Sequence, residues 1–176
     1  MGKQVFSTTV LVSFVFFLSH GINAIGSKDM AFIESVCKKT HDYKLCVTCL
    51  KSNPRSFNAD VKGLALIMME AMQSKVDGIL KVISRLRNNT SDPDMQSCLD
   101  DACHEEYANI TPFIQFAIEH LQSNSLDFAL LGVDDAYLGI QACEECTPPK
   151  SSMTPINTYF VSLLKITEDI LRILMK

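Results

Sequence analysis

The stretch VKGLALIMMEAMQSKVDGILKVISRL, residues 61–86, decides how this chain folds. Its apolar residues recur at steps of three and four, which is the spacing of one buried face of an α-helix. They are Val61, Leu64, Ala65, Met68, Met72, Val76, Ile79, Ile83 and Leu86. Met68, Met69 and Met72 could form an adaptable binding surface, because Met side chains are flexible. Their position in the same periodic row favours a place in the core.

Three more long helices are predicted after this one. Asp92–Pro93 combines a capping side chain with proline at the first helical position, so it is expected to begin the next helix. Pro112 lies inside that helix and is expected to kink it, because proline lacks a backbone donor. The third helix is predicted over residues 126–146. Thr154–Pro155 repeats the cap-plus-proline pattern and is expected to open the last helix.

The four helices together indicate the fold class. Four long helices with short connections predict an all-α, up-and-down antiparallel four-helix bundle over residues 58–176, with Asn58 as its first cap. Two shorter helical segments, Met30–Lys39 and Tyr43–Lys51, precede the bundle. They predict an N-terminal helical hairpin over residues 28–52.

The first 24 residues have the pattern of a secretory signal peptide. A single cation, Lys3, is followed by an apolar run from Val10 to Leu18 and then by small and polar residues. This order predicts cleavage after Ala24, with Gly26 as the alternative. The apolar run is too short to span a bilayer comfortably, so we expect a secreted protein without a membrane anchor.

Secretion determines how the seven cysteines are interpreted. In an oxidising compartment they form a disulfide framework with one left over. The CxxC spacings at Cys46–Cys49 and Cys143–Cys146 would suit zinc in a cytosolic chain. Because the two halves are far apart and a signal precedes them, we expect no metal. If Cys37 and Cys46 are bonded, the chain must turn between them, since nine helical residues span ~13 Å and a disulfide needs Cα atoms within ~7 Å.

The remaining pairs follow from antiparallel geometry. In an antiparallel helical hairpin the positions of facing residues have a nearly constant sum. Cys103 with Cys143 gives 246 and Cys98 with Cys146 gives 244, and half of either sum falls at the predicted turn at 122–123. The crossed pairings give 249 and 241 and fit less well. Cys103–Cys143 is therefore favoured, Cys98–Cys146 is the candidate third bridge, and Cys49 is the expected free thiol.

The residues contain no catalytic pattern that we could identify. His41, His104 and His120 lie outside any HExxH motif, and neither a GxSxG elbow nor a phosphate-binding glycine loop is present. The formal net charge is −4, and we interpret the Lys and Arg residues as spread out rather than striped, so nucleic-acid binding is not expected. We therefore expect a protein-binding module that is not an enzyme and carries no cofactor.

Three sequons are candidate glycosylation sites. Asn88 and Asn89 begin overlapping sequons in a predicted exposed turn, so a glycan is expected on one of them. Asn109 begins a third sequon, but Pro112 follows it within a helix. Little modification is expected there.

Several short sequence motifs resemble, in their order and spacing, those of the plant invertase and pectin methylesterase inhibitor family over nearly the whole mature chain. The motifs are Val36–Thr40 with Tyr43–Val47, Asn53–Ser56, Ala59–Ala65, Cys103 with Tyr107, Ala136 with Cys143–Glu144, and Ser152–Asn157. The resemblance implies a helical inhibitor with disulfides Cys37–Cys46 and Cys103–Cys143. It also implies a secreted plant partner enzyme in the apoplast or cell wall, with the vacuole as alternative.

The family blocks two kinds of enzyme. The sequence at Asn53–Ser56 and Gly63–Ala65 is more similar to that of the invertase inhibitors. Inhibition of pectin methylesterase is the alternative. Invertase inhibitors often carry Pro-Lys-Phe at the turn into the third bundle helix, and this chain has Leu126-Asp127-Phe128 there. These three residues are the expected target-binding site, although Phe128 could equally be a core aromatic. Two further hypotheses are a helical protein without inhibitory activity and a carrier of small molecules.

Overall fold

A computed structural model describes residues 29–176. Its helices are α1 (residues 29–37), α2 (Tyr43–Lys51), a 3₁₀ helix (Pro54–Asn58), α3 (Val61–Asn89), α4 (Pro93–Ser97), a π-helix (Cys98–His104), α5 (Glu105–Gln122), α6 (Leu126–Cys146) and α7 (Thr154–Leu174). Over these residues every regular element is helical, which confirms the predicted all-α class. The predicted signal peptide and both of its cleavage sites lie outside the described residues.

Aspartates cap the N-termini of α2 and α3. Asp42 accepts a hydrogen bond from the backbone N–H of Leu45 at 2.9 Å, and Asp60 accepts one from Gly63 at 2.8 Å. The expectation that Asn58 caps the first bundle helix is wrong. Asn58 is the last residue of the 3₁₀ helix, and that extra turn moves the start of α3 to the next side chain able to cap it.

The two proline-marked helix starts differ from each other. Asp92 caps α4 through the N–H of Asp94 at 3.0 Å, as its position before Pro93 predicts. Thr154 does not cap α7, because it is the first residue of that helix. The hydroxyl of Ser151 instead accepts hydrogen bonds from the N–H groups at 153 and 154.

The four long helices form a square bundle of two layers. α5 lies against α6, α6 against α7, α7 against α3, and α3 against α5. We call α4, the π-helix, α5 and α6 the α5–α6 layer, and α3 with α7 the α3–α7 layer. The hairpin helix α2 packs on α3 and α7. Neighbouring helices run antiparallel, since Lys62 at the start of α3 bonds the carbonyl of Gln122 at the end of α5.

The core is made of the apolar faces that the periodicity predicts. Met68, Met69 and Met72 are fully buried, so the core interpretation of these methionines is correct. Tyr107 and Phe160 are among the largest fully buried side chains, and their rings meet edge to face at 5.7 Å between centroids.

Small residues let α6 approach α5 closely. The buried residues on this face of α6 recur at three- and four-residue steps: Ala129, Gly132, Ala136, Gly139 and Cys143. A Cβ atom at Gly132 would lie 2.6 Å from the carbonyl oxygen of Phe113 and 3.1 Å from Cβ of Ala117. Two helix backbones therefore meet at this point, and glycine is needed there for lack of space.

The π-helix sets two cysteines on one face. In an α-helix, five residues turn the chain by about 500°, which would point Cys98 and Cys103 about 140° apart. The i→i+5 hydrogen bonds of a π-helix bring such a pair together. Cys143 and Cys146, three apart on α6, also share a face. Two neighbouring bridges form as a result, and the Sγ atoms of Cys98, Cys103 and Cys146 lie within 4.8 Å of one another.

Candidate docking site at the turn between α5 and α6

The three-residue turn between α5 and α6 is closed by backbone hydrogen bonds. The N–H of Ser123 donates to the carbonyl of Glu119 at 3.1 Å, and the N–H of Ser125 donates to that of His120 at 2.8 Å. Asn124 between them has φ 59°, a left-handed conformation that Asn adopts more readily than most residues. The turn thus satisfies the last carbonyls of α5 within itself.

A lysine from the neighbouring helix holds this turn in place. The ammonium of Lys62, in the first turn of α3, donates to the carbonyl of Gln122 at 3.0 Å and to Oδ1 of Asn124 at 2.9 Å. A cation at the C-terminus of a helix also interacts favourably with the helix dipole. Three elements therefore fix the position of the first residues of α6.

The structure presents Phe128 to solvent. Its side chain is 54% exposed, so it is not the core aromatic that the sequence also allowed. Its ring lies 5.2 Å from the ring of His120, which in turn lies 4.1 Å from the ring of Phe116. We call Phe116, His120 and Phe128 the aromatic cluster. It is a preformed apolar surface beside the turn.

The other two predicted residues take different positions. Asp127 is exposed in the first turn of α6, where an anion is favoured by the helix dipole. Leu126 is half-buried and packs against the core. Asp127 and Phe128 can therefore contact a partner directly, whereas Leu126 mainly anchors the turn.

Helix α5 also contributes to this surface, which the sequence did not lead us to predict. Phe116 and His120 are four residues apart, a spacing that places two side chains on one helix face. An aromatic residue followed four residues later by His, just before a predicted turn, was the available signal. Nδ1 of His120 also lies 3.0 Å from the carbonyl of Phe116, which orients the ring within the aromatic cluster.

The opposite end of the bundle is held by a buried polar network. The hydroxyl of Tyr107 donates to Oδ1 of Asn157 at 2.9 Å, and Nδ2 of Asn157 donates to Glu144 at 2.7 Å. Thr154 donates to the other oxygen of Glu144 at 2.9 Å. Burial raises the pKa of the Tyr107 phenol, and the charge of Glu144 adds to this effect. The network fastens the start of α7 to both helices of the α5–α6 layer.

The structure places the seven cysteines in three disulfides and one thiol. The disulfides join Cys37 to Cys46, Cys98 to Cys146 and Cys103 to Cys143, and Cys49 is a half-buried free thiol. Burial raises the pKa of Cys49, against the opposing effects of a hydrogen bond to Tyr159 and the charge of Lys75. Over residues 29–176 the three-residue group with suitable metal-ligand spacing is Cys98, Cys103 and Cys146. All three are in disulfides, so they offer no thiolates.

The sequons lie on two helices. Asn88 and Asn89 are exposed in the last turn of α3, and Asn109 is exposed within α5. Within residues 29–176, no helix combines the length and apolarity needed to cross a membrane.

Comparison with known sequences gives a consistent result. A family model described as plant invertase/pectin methylesterase inhibitor matches residues 31–163. Cell wall / vacuolar inhibitor of fructosidase 2 of Arabidopsis thaliana is 36% identical over 125 residues, covering 70% of this chain and 68% of the relative. A pectinesterase inhibitor of Actinidia deliciosa is 29% identical over 113 residues, covering 64% of this chain and 60% of the relative.

A solved structure supports the fold. The crystal structure of mutant form A of a pectin methylesterase inhibitor from Arabidopsis superimposes with a TM-score of 0.65. It covers 80% of this chain and 95% of its own, at 20% sequence identity.

Proposed function

Because the chain belongs to the plant invertase/pectin methylesterase inhibitor family, we propose that it inhibits a plant invertase through a non-covalent complex at the active-site cleft of that enzyme. The family is non-catalytic and its named relatives are inhibitors, so the chain is not an enzyme. Two relatives named as inhibitors of fructosidase are 36% and 30% identical to it. This similarity supports invertase as the target.

The observation that carries the proposal is the exposure of Phe128 on a fixed turn. Residues at the end of a rigid bundle can enter a concave site without losing conformational freedom on binding. Hydrogen bonds from Lys62 hold the turn, and the aromatic cluster supports the ring of Phe128. An exposed aromatic side chain on a rigid support is the usual form of a binding hot spot.

Pectin methylesterase is the second candidate, and Asp127 is the observation that favours it. The cleft of a glycosidase holds catalytic carboxylates. An aspartate at the tip of the inhibitor would meet like charge there, which lowers affinity if the group is desolvated.

Further features of the proposal concern maturation and location. We propose that residues 1–24 are removed as a signal peptide, and that the hairpin (28–52) and the bundle (58–176) form one inhibitor domain. Secretion to the cell wall is the proposed destination and the vacuole the alternative, since the relatives are named for both.

A titration of the purified mature protein against both enzymes at acidic pH tests the target. Against invertase, Phe128→Ala should weaken inhibition by more than ~1 kcal/mol, as expected for an aromatic anchor. Asp127→Lys should strengthen it by restoring charge opposite to the cleft. Phe32→Ala is the matched control, because Phe32 is an exposed phenylalanine on α1 and is not part of the aromatic cluster.

The outcomes distinguish invertase from pectin methylesterase as the target, and the turn between α5 and α6 from other surfaces of the bundle as the interface. Inhibition of the esterase alone would transfer the protein to the second class. Inhibition of invertase that is insensitive to Phe128 and Asp127 would move the interface elsewhere on the bundle. A protein that inhibits neither enzyme would be a non-inhibitory helical protein, and the proposal would be wrong.

A further inference from the structure

The outward face of α6 carries apolar side chains that the bundle leaves uncovered. Phe128, Leu131 and Leu138 are 54%, 47% and 61% exposed. Steps of three and seven residues place all three on one side of the helix. Phe116 of α5, 36% exposed, extends this surface through the aromatic cluster. We call Phe116, Phe128, Leu131 and Leu138 the α6 stripe.

The stripe is separate from the packing of the bundle. The other sides of α6 are already occupied: Gly132 and Gly139 face α5, while Val133 and Ile140 lie in the core. Leu131 and Leu138, seven residues apart on the outermost face of the helix, lie outside the core. Exposed apolar side chains grouped along one face are typical of an interaction site.

Within the α5–α6 layer the Asp, Glu, Lys and Arg residues carry charge of one sign. Between Arg87 and Lys150 the chain contains no Lys or Arg, and it contains twelve acidic residues. They are Asp92, Asp94, Asp100, Asp101, Glu105, Glu106, Glu119, Asp127, Asp134, Asp135, Glu144 and Glu145. The interpretation of the Lys and Arg residues as spread out is therefore wrong, because this stretch is the α5–α6 layer together with its turns.

Little of this negative charge is neutralised from the rest of the protein. Asp100 pairs with Arg87 of α3 at 2.9 Å. On the side of α6 that faces α7, Arg172 lies near enough to Asp134 to affect its pKa, and Nζ of Lys165 lies 5.5 Å from the ring centroid of Tyr137. Asp127, Asp134 and Glu145 are exposed on α6 beside the stripe. An apolar centre with a charged, solvated rim is the usual anatomy of a protein–protein interface.

The geometry points to the α6 stripe as a docking surface for the target enzyme: Phe128 lies at the cleft, and Leu131 and Leu138 contact an apolar patch outside the cleft that is rimmed by Lys and Arg. This inference rests on the proposed function and adds the chemistry of the partner surface. Charge complementarity selects the partner: a cleft lined with carboxylates would repel this layer, whereas a basic rim would attract it. The stripe is also continuous with the candidate docking site through Phe128.

A second copy of this chain fits the surface less well. A symmetric dimer through the stripe would place the same acidic patch on both sides of the interface, and like charges facing each other oppose association. The opposite charge that this layer needs must come from a different protein.

Binding kinetics of the full mature chain, with each candidate enzyme immobilised in turn, test the inference. Leu131→Gln with Leu138→Gln should raise Kd by about tenfold or more, mainly by faster dissociation, because the apolar centre is lost. Asp135→Lys with Glu145→Lys should slow association by about tenfold at low salt and flatten its salt dependence, because electrostatic steering is lost.

Matched controls on the hairpin and on α3 keep the test specific. Phe32→Gln with Tyr43→Gln removes two exposed aromatic side chains of the hairpin, one on α1 and one at the start of α2. Glu34→Lys with Asp77→Lys makes the same change in net charge, again at one half-buried and one exposed position. Both control pairs should leave Kd within about twofold of wild type. Thermal melting of every variant checks that the fold is intact.

The results distinguish this inference from the proposed function. If the wild type inhibits an enzyme but the stripe variants and their controls bind alike, the stripe is not an interface and the inhibitor function stands. If the wild type binds neither enzyme, the proposed function fails, and the docking partner with it. A concentration-dependent dimer in sedimentation, abolished by the leucine variants, would make a second copy the occupant and overturn the inference.

Discussion

The two layers of the bundle are stabilised in different ways. The α3–α7 layer, the hairpin and the 3₁₀ helix are rich in Lys and Arg, and they contain exposed ion pairs such as Arg55–Glu70 and Arg172–Glu168. The α5–α6 layer has no cation of its own. It is held by two disulfides and by close packing on Gly132. A layer that needs no surface ion pairs for stability can keep a surface of one sign for binding.

The largest expected effect comes from removing both bridges of the α5–α6 layer. The bridges close loops of 40 and 48 residues, so the first to form contributes about 4 kcal/mol and the second, closing a short loop, about 2.5 kcal/mol. Replacing all four cysteines by Ser should cost about 6 kcal/mol, against about 2.5 kcal/mol for the nine-residue loop of Cys37–Cys46. Urea denaturation measures both. Equal losses of stability in the two variants would contradict a special role of disulfides in the α5–α6 layer.

Two glycines compare the packing of the layers. Gly132→Ala should destabilise the protein by about 3 kcal/mol, because the new Cβ would lie 2.6 Å from a backbone oxygen of α5. Gly78→Ala on α3 has open space around its Cβ. It should stabilise the protein by about 0.5–1 kcal/mol by improving helix propensity. Chemical denaturation that gives the same sign for both would contradict the close approach of α6 to α5.

The third prediction concerns the buried polar network at the contact between the two layers. Tyr107→Phe should cost about 1–2 kcal/mol, because it leaves the buried carbonyl oxygen of Asn157 without its donor. Tyr137→Phe is the matched control, since the Tyr137 hydroxyl accepts a bond from Gln141 in an exposed setting. The control should change thermal stability by less than about 0.5 kcal/mol.

The smallest expected effect concerns Asp134, where the acidic layer faces α7. Desolvation raises the pKa of Asp134, repulsion from Glu168 and Asp135 adds to the rise, and Arg172 opposes it. A raised folded-state pKa means that stability falls as the pH rises from the ordinary carboxyl pKa of about 4 through the raised value. Asp134→Asn should therefore stabilise the protein at pH 7 by a few tenths of a kcal/mol. The gain should vanish below about pH 4, as denaturation at several pH values would show.

Much of the fold follows from local sequence rules. The periodic row in α3 and the Asp92–Pro93 start depend only on neighbouring residues, and the structure has both. The 3₁₀ turn before Asp60 was missed because Asn58 is an equally good cap in isolation. The π-helix was also missed, since apolar periodicity does not reveal a single shift of register.

The candidate site was less predictable than the fold. An aromatic residue in the first turn of a helix can face the core or solvent, and the fixed turn behind it decides which. The turn before Phe128 is held by Lys62, which is distant in sequence. The absence of Lys and Arg between Arg87 and Lys150 is visible in the sequence. It was missed because net charge and composition do not depend on the order of the residues.

The two adjacent bridges also determine what the loss of one cysteine would do. With Cys98 replaced, the thiolate of Cys146 would be released beside Cys103, since these sulfurs lie within 4.8 Å of one another. It could then attack Cys103 by thiol–disulfide exchange, forming Cys103–Cys146 and expelling Cys143 as a thiolate. Replacing Cys98 and Cys146 together leaves no such nucleophile, and Cys103–Cys143 stays intact. Replacing Cys98 alone would therefore allow the disulfides to rearrange, whereas replacing both Cys98 and Cys146 would prevent that exchange.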